Sequence, residues 1–169
     1  DVVDFVKSKV QEGFLTNFNI SVTVTDEFIN AVKTNGMFKL VNPRTKETVK
    51  EVNAREIWNL MVQMAWKTGD PGIVFIDRIN QDNPTPQLGR IESTNPCGEQ
   101  PLLPFESCNL GSINLSKMVA DKDGQPHIDY DKLSQTVKLA VRFLDNVIEV
   151  NQFPLPEIAE MTKTTRKIG

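Results

Sequence analysis

The chain has 169 residues, which is long enough for one compact domain, and its 39% hydrophobic content is ordinary for a globular protein. A net charge of −3 indicates no basic surface for nucleic acid or a membrane, and there is no apolar run of about 18 residues that would predict a membrane span. Two cysteines are too few for the disulfide framework of a small secreted protein, and the first residues lack the pattern of a signal peptide.

The first part of the chain predicts a helix, a strand and a second helix. Valines and a phenylalanine form an apolar stripe within residues 1–12, which predicts a helix with Gly13 as its C-cap. Residues 17–24 alternate between polar and apolar side chains, which predicts a strand with one buried face. The polar face of this strand is open to two interpretations: solvent contact, or a barrel lumen where it touches substrate. The next helix is predicted to begin at Thr25 or Asp26 and to end near Thr34.

A surface hairpin and an amphipathic helix are predicted next. The hairpin pairs residues 38–41 with residues 48–52 around a turn that contains proline. Asn53 and Glu56 have the spacing of a capping box, which predicts a helix start, and the apolar spacing extends this helix to about Thr68. Its tryptophan and methionine side chains are interpreted as core packing and not as a cofactor site.

The second half of the chain alternates between apolar segments and polar loops. Residues 72–77 predict a strand buried on both faces, and a helix followed by such a strand is typical of an α/β unit. Residues 78–90 predict a loop, and residues 109–115 a further strand. Asp129 is expected to cap a helix that ends near Val150, and Pro156 to open a last helix at its tolerated first position.

Both cysteines lie in one proline-rich stretch that begins Asn95-Pro96-Cys97-Gly98-Glu99-Gln100 and reaches Cys108 eleven residues after Cys97. The prolines favour an extended backbone, and Gly98 allows a sharp turn. Alternate side chains of an extended stretch point the same way, so Asn95, Cys97 and Glu99 are expected to converge on one small volume. The spacing does not suit a structural metal site. Spacing alone leaves open that both thiols are small buried apolar groups.

This stretch, continued through Pro-Leu-Leu-Pro-Phe-Glu-Ser-Cys-Asn-Leu-Gly, resembles the active-site loop of ribonucleotide reductases, and most of all their adenosylcobalamin-dependent class II branch. Asn95, Cys97 and Glu99 match the N-x-C-x-E signature of the family, and the resemblance continues at residues 15–22 and 165–169. It implies an α/β fold that is part of a ten-stranded α/β barrel with a central cysteine-bearing finger loop. Because family members are several times longer, residues 1–169 are predicted to be a single fragment of this catalytic barrel domain.

The resemblance implies a role for each residue of the stretch in reducing ribonucleotides to 2′-deoxyribonucleotides for DNA synthesis. Cys97, as a thiyl radical, would take the 3′-hydrogen of the ribose, and Glu99 would accept the proton of the 3′-hydroxyl. Asn95 would hold the ribose by hydrogen bonding. Cys108 would be one member of a redox-active dithiol whose partner lies upstream, outside these residues.

The resemblance also implies adenosylcobalamin as cofactor, a thioredoxin-like dithiol reductant, nucleotide effectors, a homodimer of the full-length chain and a cytoplasmic location. Neither a nucleic acid nor a membrane partner is expected, the isolated chain is expected to be inactive, and the number of substrate phosphates is left open. Two alternatives remain: a class I enzyme whose radical comes from a separate subunit, and a non-catalytic nucleotide-binding or structural remnant. The basic segment 163–167 is interpreted as a solvated helix end, with phosphate contact as the alternative.

Overall fold

The computed structural model describes residues 2–11 and 13–169, and the chain divides into two compact units, unit 1 ending at Pro101 and unit 2 running from Leu102 to Gly169. The predicted mixed α/β class is confirmed. The ten-stranded barrel, its central finger loop and the single domain over 1–169 stay predictions. Within the described ranges, none of the helices is both long enough and apolar enough to cross a membrane.

Unit 1 alternates helices with short strands. β1 and β4 pair in parallel, β2 and β3 form an antiparallel hairpin, and β5 and β6 flank the candidate loop. A short 3₁₀ helix, Pro86–Leu88, lies between α4 and β5. The bounds are α1 (Val2–Lys7), β1 (Ser21–Val24), α2 (Asp26–Thr34), β2 (Met37–Val41), β3 (Thr48–Asn53), α3 (Ala54–Thr68), β4 (Gly72–Phe75), α4 (Ile76–Gln81), β5 (Ser93–Thr94) and β6 (Pro101–Leu102).

The core of unit 1 forms where α1, α2 and α3 pack together beside β1. Met61 of α3 is fully buried, and it clusters with Val6 of α1, Val24 of β1, Phe28 and Val32 of α2, and Ala54 and Ile57 of α3 itself. The two predicted helix starts are confirmed, because Thr25 accepts a hydrogen bond from the Phe28 amide and Asn53 accepts one from the Glu56 amide. The predicted hairpin is also confirmed.

The predicted strand 17–24 is too long at its beginning. β1 starts at Ser21, and Phe18, which was expected on the buried face, is 63% exposed. The Ile20 amide donates a hydrogen bond to the carboxylate of Asp70. β4, the partner of β1, begins at Gly72, just after Pro71, which has no N–H to donate. The backbone before Ser21 therefore lies beyond the beginning of β4 and does not pair with it. Val22 and Val24 keep the predicted inward orientation.

Three further expectations in unit 1 are wrong. The first helix ends at Lys7, so Gly13 is not its cap; Asp1 and Glu12 lie outside the described residues. The strand expected over 72–77 stops at Phe75, which is 44% exposed, so β4 is not buried on both faces. The following residues form α4, whereas residues 78–90 were expected to be a loop throughout. Asp77, in the first turn of α4, accepts a hydrogen bond from the Asp26 amide at 2.8 Å and so stabilises the start of α2.

Unit 2 is built around one long helix. A 3₁₀ helix (Leu115–Met118) leads into the antiparallel hairpin of β7 (Val119–Lys122) and β8 (Gln125–Ile128), followed by α5 (Tyr130–Val150) and α6 (Pro156–Thr165). The predicted helix start is confirmed, because Asp129 accepts a hydrogen bond from the Lys132 amide. The strand expected at 109–115 is absent apart from a single bridge between Asn109 and Ile168. Asn114 instead accepts hydrogen bonds from Ser116, a local pattern that competes with a strand.

Candidate active site

The six residues 95–100 form a tight turn between β5 and β6. The Asn95 amide donates to the Gln100 carbonyl at 3.1 Å, and the Gly98 amide donates to the Asn95 carbonyl at 3.0 Å. Gly98 has a φ of +85°, in the left-handed region that favours glycine. The sharp turn expected at Gly98 is confirmed, whereas the extended conformation expected around it is wrong, because the chain closes on itself within four residues. The turn nevertheless holds Asn95, Cys97 and Glu99 in one short loop.

The side chain of Asn95 is part of the scaffold of this turn. Its Oδ1 accepts a hydrogen bond from the Gln100 amide at 2.9 Å, which leaves the Nδ2 group as the available donor. Within the described part of the chain, no group accepts a hydrogen bond from Nδ2. The turn-forming interpretation and the substrate-binding interpretation of Asn95 are therefore compatible, because each uses a different atom of the same amide.

Cys97 and Glu99 project from the turn. Both residues are exposed, and Cys97 is a thiol without a disulfide bond. The exposure of Cys97 argues against the alternative that its thiol is a small apolar group buried in the core. The loop thus presents a thiol and a carboxylate two residues apart, with an amide donor at its base.

Two asparagines that the sequence analysis did not single out hold the approach to this loop. Asn80, in α4, accepts a hydrogen bond from the Ile91 amide and donates one to the Ile91 carbonyl, both at 2.9 Å. Asn83 donates to the Gly89 carbonyl at 2.9 Å. Ile91 is buried, so these contacts fix the chain just before β5. The only sequence signal was asparagine in a polar segment with glycine and proline, which is typical of ordered turns.

In unit 2, the segment that carries Cys108 is held by side chains on both sides of the thiol. The carboxylate of Glu106 pairs with the ammonium group of Lys167 at 2.7 Å, and the hydroxyls of Ser107 and Thr162 are 2.7 Å apart. The Gly169 amide donates to the Asn109 carbonyl at 3.0 Å. Cys108 is half-buried, and its thiol donates to the Asn109 carbonyl at 3.3 Å.

The basic segment at the end of α6 is engaged in ion pairs. Arg166 binds the carboxylates of Asp145 and Glu149 on α5, which raises the pKa of its guanidinium and holds the pKa of the Asp145 carboxyl below its usual range. Lys167 is paired with Glu106. These contacts disfavour phosphate binding by either side chain, whereas Lys163 is exposed.

No cluster of three metal-ligating side chains occurs in residues 2–11 and 13–169. The only histidine, His127, lies exposed on β8. A large organic cofactor that reacts at this loop would be able to contact the exposed thiol of Cys97 directly.

Comparison with known proteins covers the whole chain. The family model for the ribonucleotide reductase barrel domain matches residues 1–169. The vitamin B12-dependent ribonucleoside-diphosphate reductase of Thermoplasma acidophilum is 55% identical over 170 aligned positions, which cover 100% of this chain and 22% of that protein. The protein of the same description from Mycobacterium tuberculosis (strain H37Rv) is 52% identical, with 100% and 24% covered. A vitamin B12-dependent ribonucleotide reductase of Streptomyces coelicolor is 35% identical, with 100% and 20% covered.

The chain thus spans less than a quarter of the length of these relatives. The family match includes the turn at 95–100 and the segment around Cys108. The chain belongs to the barrel-domain family of ribonucleotide reductases.

Proposed function

We propose that the protein carrying this chain reduces ribonucleoside diphosphates to 2′-deoxyribonucleoside diphosphates by a thiyl-radical mechanism. The observation that carries the proposal is the turn at 95–100, which presents Cys97 and Glu99 on the surface with the amide of Asn95 at their base. The preference for diphosphates rests on the names of the Thermoplasma acidophilum and Mycobacterium tuberculosis relatives, each more than half identical to this chain. The chain supplies part of the ten-stranded barrel, with this turn as its finger loop.

Cys97 takes the 3′-hydrogen of the ribose as a thiyl radical, and its exposure allows the sulfur to reach the sugar. Adenosylcobalamin, when bound, supplies the homolytic chemistry that generates this radical. Glu99 is the general base that accepts the proton of the 3′-hydroxyl. The 2′-hydroxyl then departs as water, a step that an ionic route makes difficult because hydroxide is a poor leaving group.

Asn95 orients the ribose as a hydrogen-bond donor. The Gln100 amide fixes Oδ1, so the Nδ2 group is the atom that faces a sugar hydroxyl. An amide whose rotation is already fixed loses little entropy when substrate binds, which favours a single orientation of the ribose.

Cys108 and a second thiol outside this chain provide the two electrons of the reduction. The two thiols release two protons and two electrons, a disulfide forms, the C2′–O bond breaks, and a C2′–H bond and water are the products. A thioredoxin-like dithiol reduces the disulfide after each turnover. Nucleotide effectors, a homodimer of the full-length protein and a cytoplasmic location complete the proposal on the strength of the family resemblance.

The test is turnover of cytidine diphosphate by the full-length polypeptide with adenosylcobalamin and dithiothreitol. Cys97→Ser should reduce deoxycytidine diphosphate formation to background while nucleotide binding persists. Ser93→Ala, at an exposed position just before the turn, is the matched control and should retain activity. Activity without added cobalamin would indicate a radical from a separate subunit. Nucleotide binding without any turnover by the unaltered protein would favour the non-catalytic alternative.

A further inference from the structure

An enclosed ion pair lies two residues from Cys108. The ammonium group of Lys167 is 2.7 Å from Glu106 Oε2, and the exposed side-chain fractions are 15% for Lys167 and 0% for Glu106. The same oxygen accepts a hydrogen bond from the Leu103 amide at 2.8 Å. Removing two charges from water is costly, and their mutual attraction offsets that cost only when the geometry satisfies the remaining hydrogen-bonding groups.

The geometry here does not satisfy all of those groups. Glu106 Oε1 is buried, and among the described residues it has no hydrogen-bond partner; Asn109 Oδ1, on the other side of Cys108 in the sequence, is in the same condition. A buried acceptor without a donor is destabilising, because it has lost its hydrogen bonds to water and gained none in the fold. Stability of the fold is therefore a poor explanation for placing a carboxylate at this position.

Three residues of this segment contact the same short part of the chain, residues 162–169. Glu106, Ser107 and Asn109 contact Lys167, Thr162 and the 168–169 backbone respectively, so Cys108 is fixed by contacts before and after it. The ion pair is the one charged contact of this set, and it joins residues that are 61 positions apart in the sequence. A contact between residues so far apart in the sequence fixes the position of this segment in the fold, which the local backbone preferences of the segment cannot do.

We propose that Lys167 and Glu106 are positioning residues for the Cys108 thiol. The ion pair holds the segment where Cys108 can meet the second thiol of the redox couple, and so raises the effective concentration of one thiol at the other. The inference rests on the proposed function, in which Cys108 becomes part of a disulfide during turnover. Neither Lys167 nor Glu106 touches the substrate in this proposal.

The test measures the equilibrium between the dithiol and disulfide forms of the full-length protein in dithiothreitol redox buffers. Quantitative alkylation followed by mass spectrometry of the Cys108 peptide reports the oxidised fraction. Lys167→Met should lower the equilibrium constant for disulfide formation about tenfold, which corresponds to a reduction potential about 30 mV less negative. Lys167→Arg should restore most of the constant, because a guanidinium group also pairs with a carboxylate.

Two further variants separate positioning from general stability. Lys9→Met breaks a similarly enclosed pair, Lys9–Asp70 in unit 1, and should leave the redox equilibrium unchanged even where it lowers the unfolding midpoint. Glu106→Gln removes the negative charge but keeps an oxygen that can accept from the Leu103 amide. It should shift the redox equilibrium as far as Lys167→Met does, and it serves as the test if Lys167→Met fails to fold.

The outcomes distinguish the inference from the proposed function. A tenfold shift in Lys167→Met and Glu106→Gln, without a shift in Lys9→Met, supports the positioning role. A Cys108 disulfide with an unchanged equilibrium constant in both variants overturns the inference and leaves the proposed function intact. A wild-type protein in which Cys108 never enters a disulfide overturns both.

Discussion

Replacing Gly98 with alanine tests whether the conformation of the turn itself is required for catalysis. Gly98 has a φ of +85°, and a Cβ atom built on it meets no atom within 4 Å. The substitution therefore creates no steric clash with neighbouring residues, and its whole cost is the left-handed backbone, about 1–2 kcal/mol for a residue with a Cβ. This makes the expected effect purely conformational.

The magnitude follows from what holds the turn together. Three hydrogen bonds close it, two between backbone groups and one from the Gln100 amide to the Asn95 side chain, and each is worth about 1 kcal/mol. A strain of about 1–2 kcal/mol is comparable to the loss of one or two of these bonds and shifts the population of the closed turn about 5- to 30-fold. We expect kcat/KM of Gly98→Ala to fall by that factor.

The assay is steady-state reduction of cytidine diphosphate by the full-length protein, with unfolding followed in parallel. Gly98→Asn should lose less activity than Gly98→Ala, since asparagine adopts the left-handed region more readily, and Gly98→Val should lose more. Gly124→Ala is the matched control, because Gly124 has a φ of +79° and equally open surroundings at the tip of the β7–β8 hairpin. It should cost similar stability and no activity. Wild-type activity in Gly98→Ala would refute the argument.

Three further predictions concern the amide of the turn, the core of unit 1 and the end of α6. Asn95→Asp keeps the acceptor for the Gln100 amide but removes the Nδ2 donor, so turnover should fall far more than the unfolding midpoint; a retained kcat/KM would argue against substrate binding through Nδ2. Met61→Ala removes a fully buried side chain and should lower the free energy of unfolding by about 2–5 kcal/mol in urea titrations; a loss below about 1 kcal/mol would contradict the described packing. The pKa of the Asp145 carboxyl is lowered by Arg166, so its stabilising effect is present above the pKa of the unfolded chain and is lost as the pH falls through the lower folded pKa. Asp145→Asn should therefore flatten the decline of the urea midpoint below about pH 4, and an unchanged decline would count against the pair.

The sequence alone was sufficient to predict most helices of this chain and to identify the family that it resembles. Thr25, Asn53 and Asp129 each bind an amide three residues further on, so the helix starts depend on neighbours in sequence and were predictable from residue type. The same holds for the β2–β3 hairpin, whose turn residues and strand periodicity are local signals. The residues Asn95, Cys97 and Glu99 were chosen from a contiguous motif, which also requires no knowledge of tertiary contacts.

The tertiary structure decided the features that depend on residues far apart in the chain. β1 and β4 are 51 positions apart in the sequence, and their pairing decides where β1 begins and which side of β4 is exposed. An apolar pattern does not specify which strand is the partner. The Glu106–Lys167 pair had no signal in the sequence, because a carboxylate and an ammonium group separated by 61 residues become partners only when folding removes both from water.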